Sequence, residues 1–317
     1  VLILHANDEY YDGAPFIDTV SIEFNDEQDT LKMLLDNHID FTALSSKEHH
    51  KLKEDSDNNV KVRSTPSLDL QYIGFNMSAN NILSQNRDVR QAISYATDKN
   101  RYIAETMGGD AIAARGVFPP ALPCFNKTLE GYPYNINKAR ELMEKAGYPR
   151  GIDRTFTITC SKTESIIKRG KLLKKMWAEI GIKIKIETIE WGNLLDKMHE
   201  GKTEIFMMGC AADTVEPDNF LSPLFLSDSH GEGGNDRFYS VERIDRLIEK
   251  SRQITAPEKR NQLYKEIESE IVADAPMIFM SHNYSRIATR KDIYGYYVHP
   301  LHTYPIDVTW KNWRGNE

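Results

Sequence analysis

Cysteine is scarce in this chain. Cys124, Cys160 and Cys210 are too few and too widely spaced for a disulfide framework, and their odd number leaves at least one thiol unpaired. No apolar run reaches the roughly 18 residues that a membrane-spanning helix needs. Val1 to Leu4 is apolar but too short for a signal peptide, so any export signal is expected upstream or already removed. Positive charge is not in excess: 40 Lys and Arg against 47 Asp and Glu give a formal net charge of −7, which argues against a nucleic-acid partner. The short basic run Lys168-Arg169-Gly170-Lys171, with Lys174 and Lys175, falls on a predicted helix and reads as a solvated face.

Catalytic signatures are missing as well. There is no G-x-S-x-G elbow, H-E-x-x-H, Walker loop or G-x-G-x-x-G; Gly231-Glu232-Gly233-Gly234 lacks the spacing and the preceding strand, and is expected to be a turn. Among the nine histidines, His49-His50 sits in the polar stretch from Ser45 to Asn59 and is expected on an exposed loop. His299 and His302 are separated by Pro300, and no metal site is expected at either place.

What is present is a foldable chain of 317 residues, 40% hydrophobic, long enough that two lobes are the expected arrangement. Val20 to Phe24 alternates like a strand, and Asp26 to Asn37 carries Leu31, Leu34 and Leu35 at helical spacing. Strands are predicted at Lys61–Ser64 and Gln71–Asn76, then a helix from Val89 ending at Asn100 or Gly108-Gly109. After a proline-rich loop, Asn137 is expected to cap a helix over Lys138–Ala146. Residues Thr155 to Gly209 alternate strand and helix, the mark of an α/β lobe. Helices at Val241–Arg252 and Pro257–Val272 and strands at Met277–Met280 and Ser285–Thr289 complete the reading.

The stretch from Gly209 to Phe220 follows an apolar strand and opens a loop dense in carboxylates. Small residues there let backbone approach a ligand closely, and a carboxylate in a desolvated cleft anchors an ammonium group well. Asp213 is the preferred anchor. The alternative is that Asp213 only caps a turn and Asp218 a following helix. An acid and base pair drawn from Asp213, Glu216 and Asp218 would make an enzyme, and no other feature supports one.

Several segments together resemble the bacterial family 5 extracellular solute-binding proteins. They are Tyr10 to Asp18, the strand Gln71–Asn76, the helix Val89-Arg90-Gln91-Ala92-Ile93-Ser94-Tyr95-Ala96-Thr97-Asp98-Lys99, the segment Asn137–Tyr148, Glu190-Trp191-Gly192 and Asp274-Ala275-Pro276. The resemblance implies an α/β, two-lobed periplasmic-binding-protein-like (type II) architecture whose first lobe is incomplete, lacking its amino-terminal part. Residues 1–75 and 281–317 are then the partial first lobe and 76–280 the second, with hinges near Asn76 and Met280 and a ligand enclosed between the lobes.

It also implies the substrate-binding component of an ABC importer: no enzyme and no cofactor, a peptide ligand, a membrane permease partner, a monomer, and a place in the periplasm or, lipid-anchored, on the cell surface. In the dipeptide branch a Trp three residues before an Asp lines the pocket, and the Asp receives the peptide amino terminus. That role falls on Asp213, while Cys210 stands where the Trp would be. The Arg that holds the peptide carboxylate has Lys162 in its region, a point charge without the bidentate fork. The candidate ligand-binding set is Asn76, Lys162, Trp191, Met208, Gly209, Cys210, Ala211, Ala212 and Asp213. Alternatives are a receptor of the same fold for a nickel chelate, haem or sugar, or the ligand-sensing domain of a transcription regulator.

Overall fold

The computed structural model describes residues 1–24, 29–54, 59–78, 80–301 and 309–311. His302 of the histidine pair lies outside them. The chain forms two compact units, Val1–Ser67 with Tyr284–Glu317, and Leu68–Asn283. In chain order the smaller unit begins with β1 (Leu2–His5), β2 (Thr19–Ile22), α1 (Thr30–Leu35), β3 (Phe41–Ala43), α2 (Ser46–Glu54) and β4 (Val60–Pro66). The larger unit contains β5 (Asp69–Phe75), α3 (Ile82–Gln85), α4 (Arg87–Ala96), α5 (Lys99–Met107), β6 (Ile112–Ala113), α6 (Ile136–Lys145), β7 (Thr155–Ser161), α7 (Glu164–Ala178), β8 (Lys183–Ile189), α8 (Trp191–His199), β9 (Ile205–Ala211), α9 (Asp218–Phe225), α10 (Glu242–Arg252), α11 (Pro257–Asp274) and β10 (Met277–His282). The chain returns to the smaller unit with β11 (Tyr284–Arg290), β12 (Ile293–Tyr294) and β13 (Trp310–Lys311).

In the smaller unit β11 pairs antiparallel with β3 on one side and β4 on the other, and Leu31, Leu34, Leu44, Leu52 and Ala288 form its core. The stretch expected to be a loop with two exposed histidines is instead helix α2. Its period buries His49, 5% exposed, beside Leu52 and leaves His50 outside.

The larger unit is built on one six-stranded sheet in the order β6-β10-β5-β9-β7-β8. β8 and β9 run parallel to β7, β5 runs antiparallel to both β9 and β10, and β6 antiparallel to β10. The carboxyl ends of β7, β8, β9 and β10 therefore meet the amino-terminal ends of β5 and β6 along one edge. On one face of the sheet Ile73, Phe75, Phe156, Ile158, Ile205 and Ile278 pack against apolar residues of α4, α5, α6 and α7.

Helix boundaries depart from the sequence reading where polar side chains recruit the backbone. The single helix expected from Val89 is two: Thr97 turns extended, and Asp98 caps α5 by accepting the Arg101 N–H at 3.0 Å. The next cap is Asn135, which accepts the Lys138 N–H at 2.9 Å, so α6 starts ahead of Asn137. Arg90 is 3% exposed and clamps carbonyls from two other elements, Leu83 at 2.9 Å and Asp274 at 2.7 Å. The units divide after Ser67 and after Asn283, whereas Asn76 and Met280, the expected hinges, both lie inside the larger unit. Met280 belongs to β10, and Asn76 directly follows β5, strands that the shared sheet holds together.

Candidate functional site

Most of the sequence-predicted ligand residues gather along the carboxyl edge of the six-stranded sheet. Gly209, Cys210 and Ala211, read as the opening of a loop, are strand residues of β9 facing Gln71, Leu70 and Asp69 of β5. A neighbouring apolar strand with free ladder groups extends β9 past the point where its own composition turns small and polar. A Cβ at Gly209 would meet the end of the Gln71 side chain, which would have to turn aside.

The chain leaves β9 with the Ala212 N–H donating to the Leu68 carbonyl at 2.8 Å. Asn219, six residues beyond Asp213, then accepts the N–H of Asp213 at 2.9 Å and of Thr214 at 3.0 Å through its Oδ1. The loop is thus closed on itself, with Asp213 exposed at its start. Its other carboxylates are engaged: Glu216 pairs with Arg260 at 3.5 Å and Asp218 with Arg252 at 3.1 Å. Asp213 has no ion pair among the described residues, so it is the loop carboxylate left for another cation.

Lys162 follows β7 and Trp191 follows β8, which places both on the same edge as Asp213. The Lys162 Nζ lies 3.7 Å from Glu190 Oε1, both side chains exposed, a contact too solvated to immobilise the lysine. Trp191 opens α8 and is 54% exposed, an unusual setting for so large an apolar ring. Met208 is half-buried next to Tyr72. Asn76 stands apart, just past the far end of β5, about 23 Å from Asp69 at about 3.3 Å per strand residue. Its amide donates to the Gly201 and Thr203 carbonyls, both at 2.7 Å, and its Oδ1 accepts from the Ser78 N–H and hydroxyl. With donors and acceptor all used, it closes a turn.

The edge also holds groups that the sequence reading did not single out. Asp69, 6% exposed, accepts the Asn283 N–H at 2.7 Å on one carboxylate oxygen and the Asn283 side-chain amide at 2.5 Å on the other. Its carbonyl accepts from His282 Nδ1 at 2.7 Å, which fixes the tautomer and leaves Nε2 a buried acceptor with no hydrogen-bond partner among the described residues. Burial pushes His282 down to about 4, against the pull of Asp69, so the ring is neutral at ordinary pH. The half-buried Cys210 thiol is pushed up to about 12 by burial, with Arg237 opposing, and is no thiolate. Arg237 is fully buried between the rings of Tyr72 at 5.0 Å and Phe225 at 5.3 Å. Asp69 could have been found from its place at a strand start; the partners of Arg237 and His282 depend on pairings that sequence spacing does not reveal.

The edge therefore offers a carboxylate without an ion pair among the described residues, an exposed lysine, an exposed indole and neutral polar groups. That inventory suits holding a polar ligand. It contains no nucleophile paired with a base among the described residues.

Comparison with known proteins gives a concordant result. The pattern of the bacterial extracellular solute-binding proteins, family 5 (middle part), matches residues 1–232. The chain is 28% identical over 248 residues to the dipeptide-binding protein of Escherichia coli (strain K12), covering 77% of this chain and 46% of that protein. It is 31% identical over 252 residues to heme-binding protein A of Haemophilus influenzae, covering 78% and 46%. Among solved structures, the ABC transporter-associated periplasmic binding protein DppA of Helicobacter pylori, in complex with the peptide STSA, superposes with a TM-score of 0.80 at 26% identity, over 98% of this chain and 60% of that one. The chain spans about half the length of the curated relatives it matches.

Proposed function

The chain belongs to the bacterial extracellular solute-binding proteins of family 5, and we propose that it is the peptide-capturing part of an ABC importer's substrate-binding component, with the peptide amino terminus received at Asp213. Family members are extracytoplasmic solute-binding proteins, not enzymes. The observation that carries the reading is the position of Asp213: the loop's unpaired carboxylate, on the sheet edge where β7, β8 and β10 also end. Ligands of open α/β sheets bind outside the carboxyl ends of the strands. Lys162 faces the ligand carboxylate as a point charge, Trp191 offers an apolar wall, and Cys210 with Ala211 leaves room for side chains near the anchor. The captured peptide passes to a membrane permease, from a monomer held in the periplasm or at the surface by a lipid.

The test is a thermal-shift titration of the chain with peptides carrying a free amino terminus and with the same peptides acetylated. A rise in melting temperature with the free peptides that acetylation and Asp213→Ala both abolish supports the reading. Equal shifts for free and acetylated peptides overturn the anchor. A haem receptor is the second reading, favoured by the haem-binding relative at 31% identity; a shift with haem and none with peptides establishes it in place of the first.

A further inference from the structure

Away from the carboxyl edge, the outer side of α7 and the edge strand β8 carry a concentration of one side-chain type. Lys168, Lys171, Lys174 and Lys175 are exposed along α7, and Lys183 and Lys185 are exposed on β8. Lys171, Lys174, Lys183 and Lys185 rim a groove of about 650 Å³ whose apolar wall includes Ile184 and Ile186. In a chain of net charge −7, six exposed lysines on one helix and the adjoining edge strand, four of them meeting around the groove at that edge, are a local reversal of sign. Neutralisation within the protein is partial: Glu187, two residues from Lys185, feels its charge but is already paired with Lys197 at 2.5 Å. Lys183 lies 3.5 Å from the fully exposed Asp153, and Glu105, near Lys168 and Lys175, is already paired with Arg101 at 2.7 Å. The other five lysines make no ion pair among the described residues.

We propose that this face docks on an anionic phospholipid surface. The chemistry distinguishes lipid from an acidic protein: specific carboxylate partners favour the bidentate fork of arginine, and the sole arginine of α7, Arg169, is half-buried and turned toward Tyr102. The exposed cations are all lysines, flexible point charges suited to a diffuse field of headgroups. Strand addition is disfavoured at the same time, because lysines on an edge strand block pairing with a further strand. The isoleucine wall beneath the lysine rim gives apolar groups at the headgroup boundary something to lie against.

The experiment is sedimentation of the chain with phosphatidylcholine vesicles that contain or lack phosphatidylglycerol, at low and high salt. Binding should require phosphatidylglycerol and disappear at high salt. Reversing Lys171, Lys174, Lys183 and Lys185 to Glu should weaken it on the order of several hundred-fold, since each lysine near an anionic surface contributes roughly five-fold. Reversing the exposed Lys127, Lys138, Lys202 and Lys250 to Glu makes the same change in net charge and should cost far less. Equal loss in the two variants, or binding independent of phosphatidylglycerol, overturns the proposal. So does capture of poly-glutamate by the same four lysines without vesicle binding, which would assign the face to an acidic protein. Unchanged melting temperatures and circular dichroism in both variants keep the comparison free of misfolding.

Discussion

Asn219 Oδ1 accepts the backbone N–H of Asp213 at 2.9 Å, so the residue proposed to meet the ligand is positioned by a side chain six places further on. The same oxygen takes the Thr214 N–H, and removing it releases two donors at the mouth of the loop. Asn219→Ala should lower affinity for a free-amine peptide by about 10-fold, as expected for one net hydrogen bond's worth of preorganisation. Asn219→Asp retains the acceptor and should recover most of it. Calorimetric titration of both variants decides: equal affinities for Ala and wild type would show that the Ala212 to Leu68 contact alone holds the loop.

The Asp69 carboxylate is the buried counterpart. It accepts from both the main-chain and the side-chain donors of Asn283. Asp69→Ala leaves both half-buried donors without their acceptor and should destabilise the larger unit by about 1 to 3 kcal/mol, whereas Asp69→Asn keeps one acceptor and should cost about half as much. Urea unfolding followed by far-ultraviolet circular dichroism measures the difference, with an unchanged slope confirming that the native and unfolded states are otherwise alike.

Much of this arrangement was legible in the sequence because it rests on local periodicity. The strands and helices from Thr155 to His199 need only alternation and 3.6-residue spacing, and the expected strand-helix alternation is there as β7, α7, β8 and α8. The signature helix was also legible, although its residues prove structural: Arg90 clamps carbonyls, and Thr97 accepts the Trp177 indole N–H at 2.9 Å. Non-local decisions were not legible. Only β5 turns Gly209 to Ala211 into strand, and the burial of His49 on α2 required a helix that the polar composition of Ser45 to Asn59 concealed. Asn76 looked like a pocket residue by resemblance, while its hydrogen bonds to Gly201 and Thr203 exist only once β9 folds alongside β5.

Stability should pass through a maximum with pH. Glu268, 1% exposed, accepts the Phe118 N–H at 2.9 Å, and burial raises it from 4.5 to about 7; burial likewise raises Asp236 from 3.8 to about 6, with His199 at 3.6 Å opposing. A carboxyl raised on folding binds its proton more tightly in the native state, so its contribution is present at low pH and is lost as pH climbs through the folded value. For Glu268 that loss amounts to roughly 3 kcal/mol between about pH 4.5 and 7. His282 acts in the opposite sense: lowered from 6.5 to about 4, it favours the native state above the unfolded value and is lost as pH falls toward 4. Glu268→Gln should therefore raise the melting temperature at pH 8 and change it little at pH 4.5, and His282→Gln should flatten the acid limb alone. Melting curves across pH that leave wild type and Glu268→Gln parallel would show that the carboxyl is ionised in the native protein.

Trp191 supplies an optical test of where the ligand sits. It is 54% exposed at the carboxyl edge, whereas Trp177 is fully buried, its indole N–H bonded to Thr97, and already shielded. A peptide anchored at Asp213 and lying across the ends of β9, β7 and β8 must remove water from the Trp191 ring, because those strand ends are consecutive in the sheet. Saturating peptide should thus shift tryptophan emission to shorter wavelength, and Trp191→Phe should abolish most of that shift while lowering affinity by about ten-fold, in keeping with the loss of part of an aromatic contact. Asp213→Ala should reduce affinity by a larger factor without moving the emission of the free protein. A full blue shift that survives Trp191→Phe would move the ligand away from the end of β8, and with it the role assigned to Lys162.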